Sequence, residues 1–70
     1  MKYRVLIEQD ESGWFVAECP ALPGCISQGE TRAEALLNIQ DAIDGYLESL
    51  AKHGEAIPPP IEEELVEVGV

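Results

Sequence analysis

Residues 19–31, CPALPGCISQGET, place two prolines, two glycines and two cysteines within thirteen positions. Cysteines around a Pro-Gly step suit a metal knuckle, a redox pair, a nucleophile elbow or a tight backbone corner. Pro23-Gly24 matches the central positions of a type II turn: proline presets the first dihedral and glycine takes the positive one. Pro20 lacks an amide donor and ends whatever strand precedes it. Cys19 and Cys25 are six positions apart, outside CxxC spacing, and His53 is the lone histidine of the chain. Structural zinc sites gather four Cys or His ligands, so the cysteines read as buried, reduced thiols. The stretch is also too short and too poor in lysine to cradle phosphate. It is a corner.

Outward from that corner the chain divides cleanly. Upstream, KYRVLIEQ is rich in β-formers, DESG is a turn cluster, and WFVAEC follows as a second strand, so residues 2–19 predict a hairpin. CISQG leaves room for a third short strand. Thr31 with Glu34 forms a capping box, and Gly54 supplies the stop, which predicts a helix over Thr31 to His53. Leu36, Ile39, Ile43, Tyr46, Leu47 and Leu50 recur at helical spacing. Gly45 interrupts that pattern at a cost of up to about 1 kcal/mol relative to alanine, and is read as a mark of close packing. IPPP is a stiff connector, and ELVEVGV, after the acidic run Glu62 to Glu64, predicts a last strand.

The order β-β-β-α-β predicts an α+β fold, with one helix packed on one face of a four-stranded sheet. Seventy residues make a single domain, 1–70. Yet apolar residues fall on both faces of the predicted hairpin: Tyr3, Val5 and Ile7 against Leu6, and Phe15, Ala17 and Cys19 against Trp14 and Val16. A sheet with one wet face alternates more cleanly. A second layer is therefore expected, and self-association as a homodimer or homotetramer supplies it. Leu6, Trp14 and Val16, with Leu65, Val66 and Val68 of the last strand, are the expected contacts.

Fourteen acidic side chains stand against four basic ones, a formal net charge of −10. Phosphate backbones and anionic membranes call for clustered Lys and Arg, so neither nucleic acid nor membrane is expected as a direct partner. A basic protein is. The chain opens on a strand pattern, without an apolar leader or spanning run, and a cytoplasmic location follows as the expectation.

YRVLIEQDESGWFVAECPALPGCISQGETRAEALLNIQDAIDGYLESLAKHGEAIPPP resembles the HicB family of type II antitoxins. The resemblance rests on the hairpin with Trp14-Phe15, on LPGCISQGET, on EALLNIQDAIDGYLE and on GEAIPPP, and it covers residues 1 to about 60. It implies a truncated ribonuclease H-like fold and neutralisation of a small basic toxin, HicA, that cleaves mRNA. Many members continue into a DNA-binding domain. This sequence stops at Val70 without one, so no autorepression by the chain itself is expected. Where family members commonly carry Asp before Leu-Pro-Gly, this sequence has Ala21.

Glu8, Asp10, Glu11 and Trp14, around the first turn, are the expected toxin contacts, with Asp41, Asp44 and Glu48 of the helix as a second patch. No catalytic residue, metal or cofactor is expected. Two other classes compete. A degenerate metal-dependent nuclease would need carboxylates such as Glu8, Glu48 and Glu67 to converge. A small-ligand regulatory module would need a built pocket, for which the sequence shows no glycine-rich or basic signal.

Overall fold

Thr31 stands at the junction that organises the molecule. In the computed structural model, which describes residues 1–69, its side-chain oxygen accepts the Glu34 amide at 3.1 Å and caps helix α1, Arg32–Lys52. The exit matches the expected stop. His53 caps the helix, its Nδ1–H donating to the Ser49 carbonyl at 2.8 Å, and Gly54 follows with φ +66°. The Gly54 and Glu55 amides then return to the Ala51 and Leu50 carbonyls, a closure typical of a left-handed glycine after a helix. A cation here meets the negative end of the helix dipole, so the lone histidine belongs to the helix end.

Three strands precede the helix: β1 Leu6–Gln9, β2 Phe15–Glu18 and β3 Ile26–Gly29. They form an antiparallel sheet in the order β1-β2-β3. Leu6 pairs with Glu18 and Gln9 with Phe15; Phe15 pairs in turn with Gly29 and Glu18 with Ile26. The corner between β2 and β3 is two consecutive turns. The Leu22 amide donates to the Cys19 carbonyl and the Cys25 amide to the Leu22 carbonyl, each at 3.0 Å, and Gly24 holds φ +80°. Leu22 is thereby pinned inside the core with no exposed surface.

Helix α1 covers one face of the sheet. Ala17, Cys19, Leu22, Cys25, Ala35 and Ile39 are buried there, with Tyr3, Val5, Ile7, Phe15, Ile43, Tyr46 and Leu47 packed around them. Leu36 lies half-buried at the margin and Leu50 is likewise half-buried. The helix approaches β3 most closely at Gly29, where an added Cβ would stand 2.6 Å from the Ala35 nitrogen. Gly45, read as a packing glycine, is instead exposed, with no atom within 4 Å of where its Cβ would be. Periodicity locates a glycine on a helix; it does not reveal whether anything lies opposite.

The four-stranded sheet is corrected to three. Residues 55–69 form no strand, and Val70, the end of the expected strand, lies outside the described residues. The tail is tied to the body by the Tyr3 hydroxyl, which donates to the Pro58 carbonyl at 2.6 Å, and by an Arg4–Glu63 ion pair at 3.0 Å. Beyond these ties Leu65, Val66 and Val68 are exposed. Prolines 58–60 offer no amide donors to a ladder, and Glu62 to Glu64 concentrate negative charge, of which Glu63 pairs with Arg4.

Candidate open sheet face

Strand alternation sends every second side chain away from the helix. Leu6 and Glu8 of β1, Val16 and Glu18 of β2, and Ile26 of β3 therefore share the opposite face, where they line a depression of about 120 Å³. Trp14, two residues before Val16, continues the row. Leu6, Trp14 and Ile26 remain 43%, 37% and 57% exposed, with no second layer over them among the described residues. Among the described residues the expected second layer is absent, and the sequence-derived contacts Leu6, Trp14 and Val16 are gathered on this face. Leu65, Val66 and Val68 are not: they lie in the tail.

The expected toxin patch splits. Glu8 and Trp14 belong to the open face, whereas Asp10 and Glu11 sit in the turn between β1 and β2. Asp10 has work of its own within that turn. Its Oδ1 accepts from the Ser12 amide at 2.9 Å, the Ser12 hydroxyl at 2.6 Å and the Trp14 amide at 3.0 Å. These bonds, the Ser12 hydroxyl first, hold its carboxyl below the ordinary value of 3.8. Glu11 is exposed beside it. Glu18 and Ile26 were missed by sequence reading; alternation along β2 could have placed Glu18 beside Val16, whereas Ile26 required the register of β3.

The cysteines lie on the helix side, both free and buried. The Cys19 amide donates to the Cys25 carbonyl at 3.0 Å, extending the β2–β3 ladder by one rung. Burial pushes the Cys25 thiol pKa up, and neighbouring Cys19 adds to the shift. Both effects disfavour the thiolate that nucleophilic or metal chemistry requires. Among the described residues no group of three His, Cys, Asp or Glu side chains is placed to hold a metal. The carboxylates nominated for nuclease chemistry do not converge. Glu8 is on the open face, Glu48 is exposed on the helix, 4.0 Å from Lys52, and Glu67 is in the tail.

A second concavity, about 340 Å³, opens between the N-terminal segment and α1, lined by Tyr3, Val5, Ile39 and Ile43 with Gln40 and Asp44 among its polar groups. No helix among the described residues is long and apolar enough to cross a membrane.

A three-stranded antiparallel sheet backed by one helix, with its other face open and acidic side chains along it, is a small α+β architecture. Residues 3–68 match the model of the family described as HicB_like antitoxin of bacterial toxin-antitoxin system. The chain belongs to this HicB-like antitoxin family. It is 55% identical over 65 residues to a UPF0150 protein of Thermoplasma acidophilum, covering 93% of this chain and 94% of that one. It is 39% identical over 60 residues to Antitoxin HicB 2 of Photorhabdus laumondii, covering 86% of this chain but 42% of that longer protein. Among solved structures, the N-terminal domain of the Burkholderia pseudomallei antitoxin HicB superposes with a TM-score of 0.75 at 29% identity, over 84% of this chain and 69% of that one.

Proposed function

We propose that this chain binds a small basic HicA-type toxin and neutralises its cleavage of mRNA by masking the toxin surface. The observation that carries the reading is the acidic turn of a HicB-like antitoxin domain: Asp10 and Glu11 exposed at the hairpin end, Glu8 and half-exposed Trp14 beside them. A field of this sign speeds encounter with a cationic protein and selects it over neutral competitors. The reading is of a non-catalytic, cytoplasmic interaction protein that needs no cofactor or metal. With Lys2, Arg4, Arg32 and Lys52 as its cations, the chain makes no specific DNA contact of its own, and a mobility shift of its promoter by the pure protein at physiological salt would contradict this.

Self-association belongs to the same reading. Leu65, Val66 and Val68 are exposed in a tail that forms no strand, while Ile7 and Gln9 turn their backbone groups toward the open outer edge of β1. The latter follows from the ladder phase: Asp10 and Trp14 are a hydrogen-bonded pair, so Ile7 and Gln9 are not bonded to β2. A tail added to that edge in a homodimer or homotetramer would supply the fourth strand of the ribonuclease H-like topology.

The test uses the short basic protein encoded in the adjoining reading frame, or a HicA-type toxin from a related system. RNA cleavage by the toxin should stop on addition of stoichiometric chain, and the two should migrate as one complex. Undiminished cleavage with no complex would overturn the reading.

A further inference from the structure

The open sheet face carries a chemistry that a second copy of this chain matches poorly. Leu6, Val16 and Ile26 form an apolar triangle across three strands, Val16 standing diagonal to the other two. The register sets Glu18 between Leu6 and Ile26, and Glu8 opposite Val16. Each carboxylate is thus flanked by apolar surface that water should prefer to leave. Two copies packed face to face on this surface would crowd two more carboxylates against the first pair, and desolvating like charges without a cation is strongly unfavourable. Arg4, the cation nearest along β1, is already engaged with Glu63. Arg32 and Lys52 belong to α1, on the far side of the sheet, and Lys2 lies outside β1, near the N-terminus. A partner presenting apolar side chains together with Arg or Lys satisfies both demands at once.

We propose that this face is the docking surface for a cationic protein partner. Leu6, Val16 and Ile26 form its apolar floor, and Glu8 and Glu18 pair with the partner's Arg or Lys side chains. The assignment rests on the antitoxin reading and sharpens it. The turn acids Asp10 and Glu11 steer the encounter, while the sheet face holds the complex.

The experiment uses the full chain and a HicA-type toxin as the probe, with binding measured by calorimetry and mass by light scattering. The variants are Glu8→Gln/Glu18→Gln and Ile26→Thr, all at exposed strand positions, with melting temperature as the folding control. The double variant should weaken toxin binding about tenfold or more and reduce its salt dependence, with melting temperature and mass unchanged. Ile26→Thr should weaken binding with its salt dependence intact. Toxin bound equally well by wild type and both variants would remove the docking surface while leaving the antitoxin reading standing. A wild-type dimer that Ile26→Thr dissociates, with toxin binding untouched, would assign the face to self-association and overturn the proposal. A wild-type chain that does not bind toxin would defeat both readings.

Discussion

Gly29 lies directly beneath Ala35. A Cβ on Gly29 would stand 2.6 Å from the Ala35 nitrogen and 2.9 Å from the Glu34 carbonyl carbon, both backbone atoms that cannot swing aside. The first turn of α1 therefore rests on the end of β3 because that strand ends without a side chain. Gly29→Ala should push the helix start away from the sheet and cost about 1–3 kcal/mol, as overpacking does. Chemical denaturation should show a lower midpoint for the variant; an unchanged midpoint would mean the helix start yields freely.

Gly45 is the opposite case. It lies in the helix interior, exposed and facing open space, so it contributes flexibility without packing. Gly45→Ala should raise stability by up to about 1 kcal/mol through helix propensity, read as a higher melting temperature. A loss of stability would reveal a contact at this position in an assembly.

Ile39 is the largest helical side chain in the buried set, 1% exposed between the sheet and the corner residues. Truncation to alanine should cost about 2–5 kcal/mol, a large share of what so small a domain can possess. Ile43 is only half-buried, and the same truncation there should cost less. Equal losses at the two sites would show that a partner completes the burial of Ile43.

Asp10 should confer pH-dependent stability on the first turn. Its folded-state carboxyl lies below 3.8, chiefly through the Ser12 hydroxyl. Such a group stabilises the fold above its unfolded-state value, and the stabilisation disappears as pH falls through the lowered folded value. Asp10→Ala should therefore melt earlier than wild type at neutral pH, and the gap should close on acidification below 3.8. A gap that persists at low pH would place the origin of the effect outside the carboxylate.

Cys19 and Cys25 should resist thiol reagents in the native state. They are 1% and 4% exposed, and burial raises the Cys25 pKa. Labelling by a neutral aromatic disulfide should follow the opening of the domain and accelerate in denaturant. Rapid labelling without denaturant would indicate a corner that opens locally.

The features legible in the chain were those whose causes are local. A Pro-Gly turn is dictated by two dihedral preferences, and the Thr31 cap by a side chain reaching its own neighbours. The helix stop at Gly54 needs a left-handed residue, and each of these requirements is met within a few positions. The hairpin faces were equally readable, because alternation along a strand is a property of one segment; Leu6, Trp14 and Val16 were in view on that ground. Ile26 came into view only with the β2–β3 register, which joins residues from different segments; Glu18, two positions after Val16 on the same strand, was overlooked. Gly45 was read as the packing glycine, yet the close approach falls at Gly29, since it depends on what another element places opposite. The tail shows the same limit most plainly. Its Leu and Val match a strand in composition, but a strand exists only where a second backbone pairs with it, and in the single chain residues 55–69 pair with none.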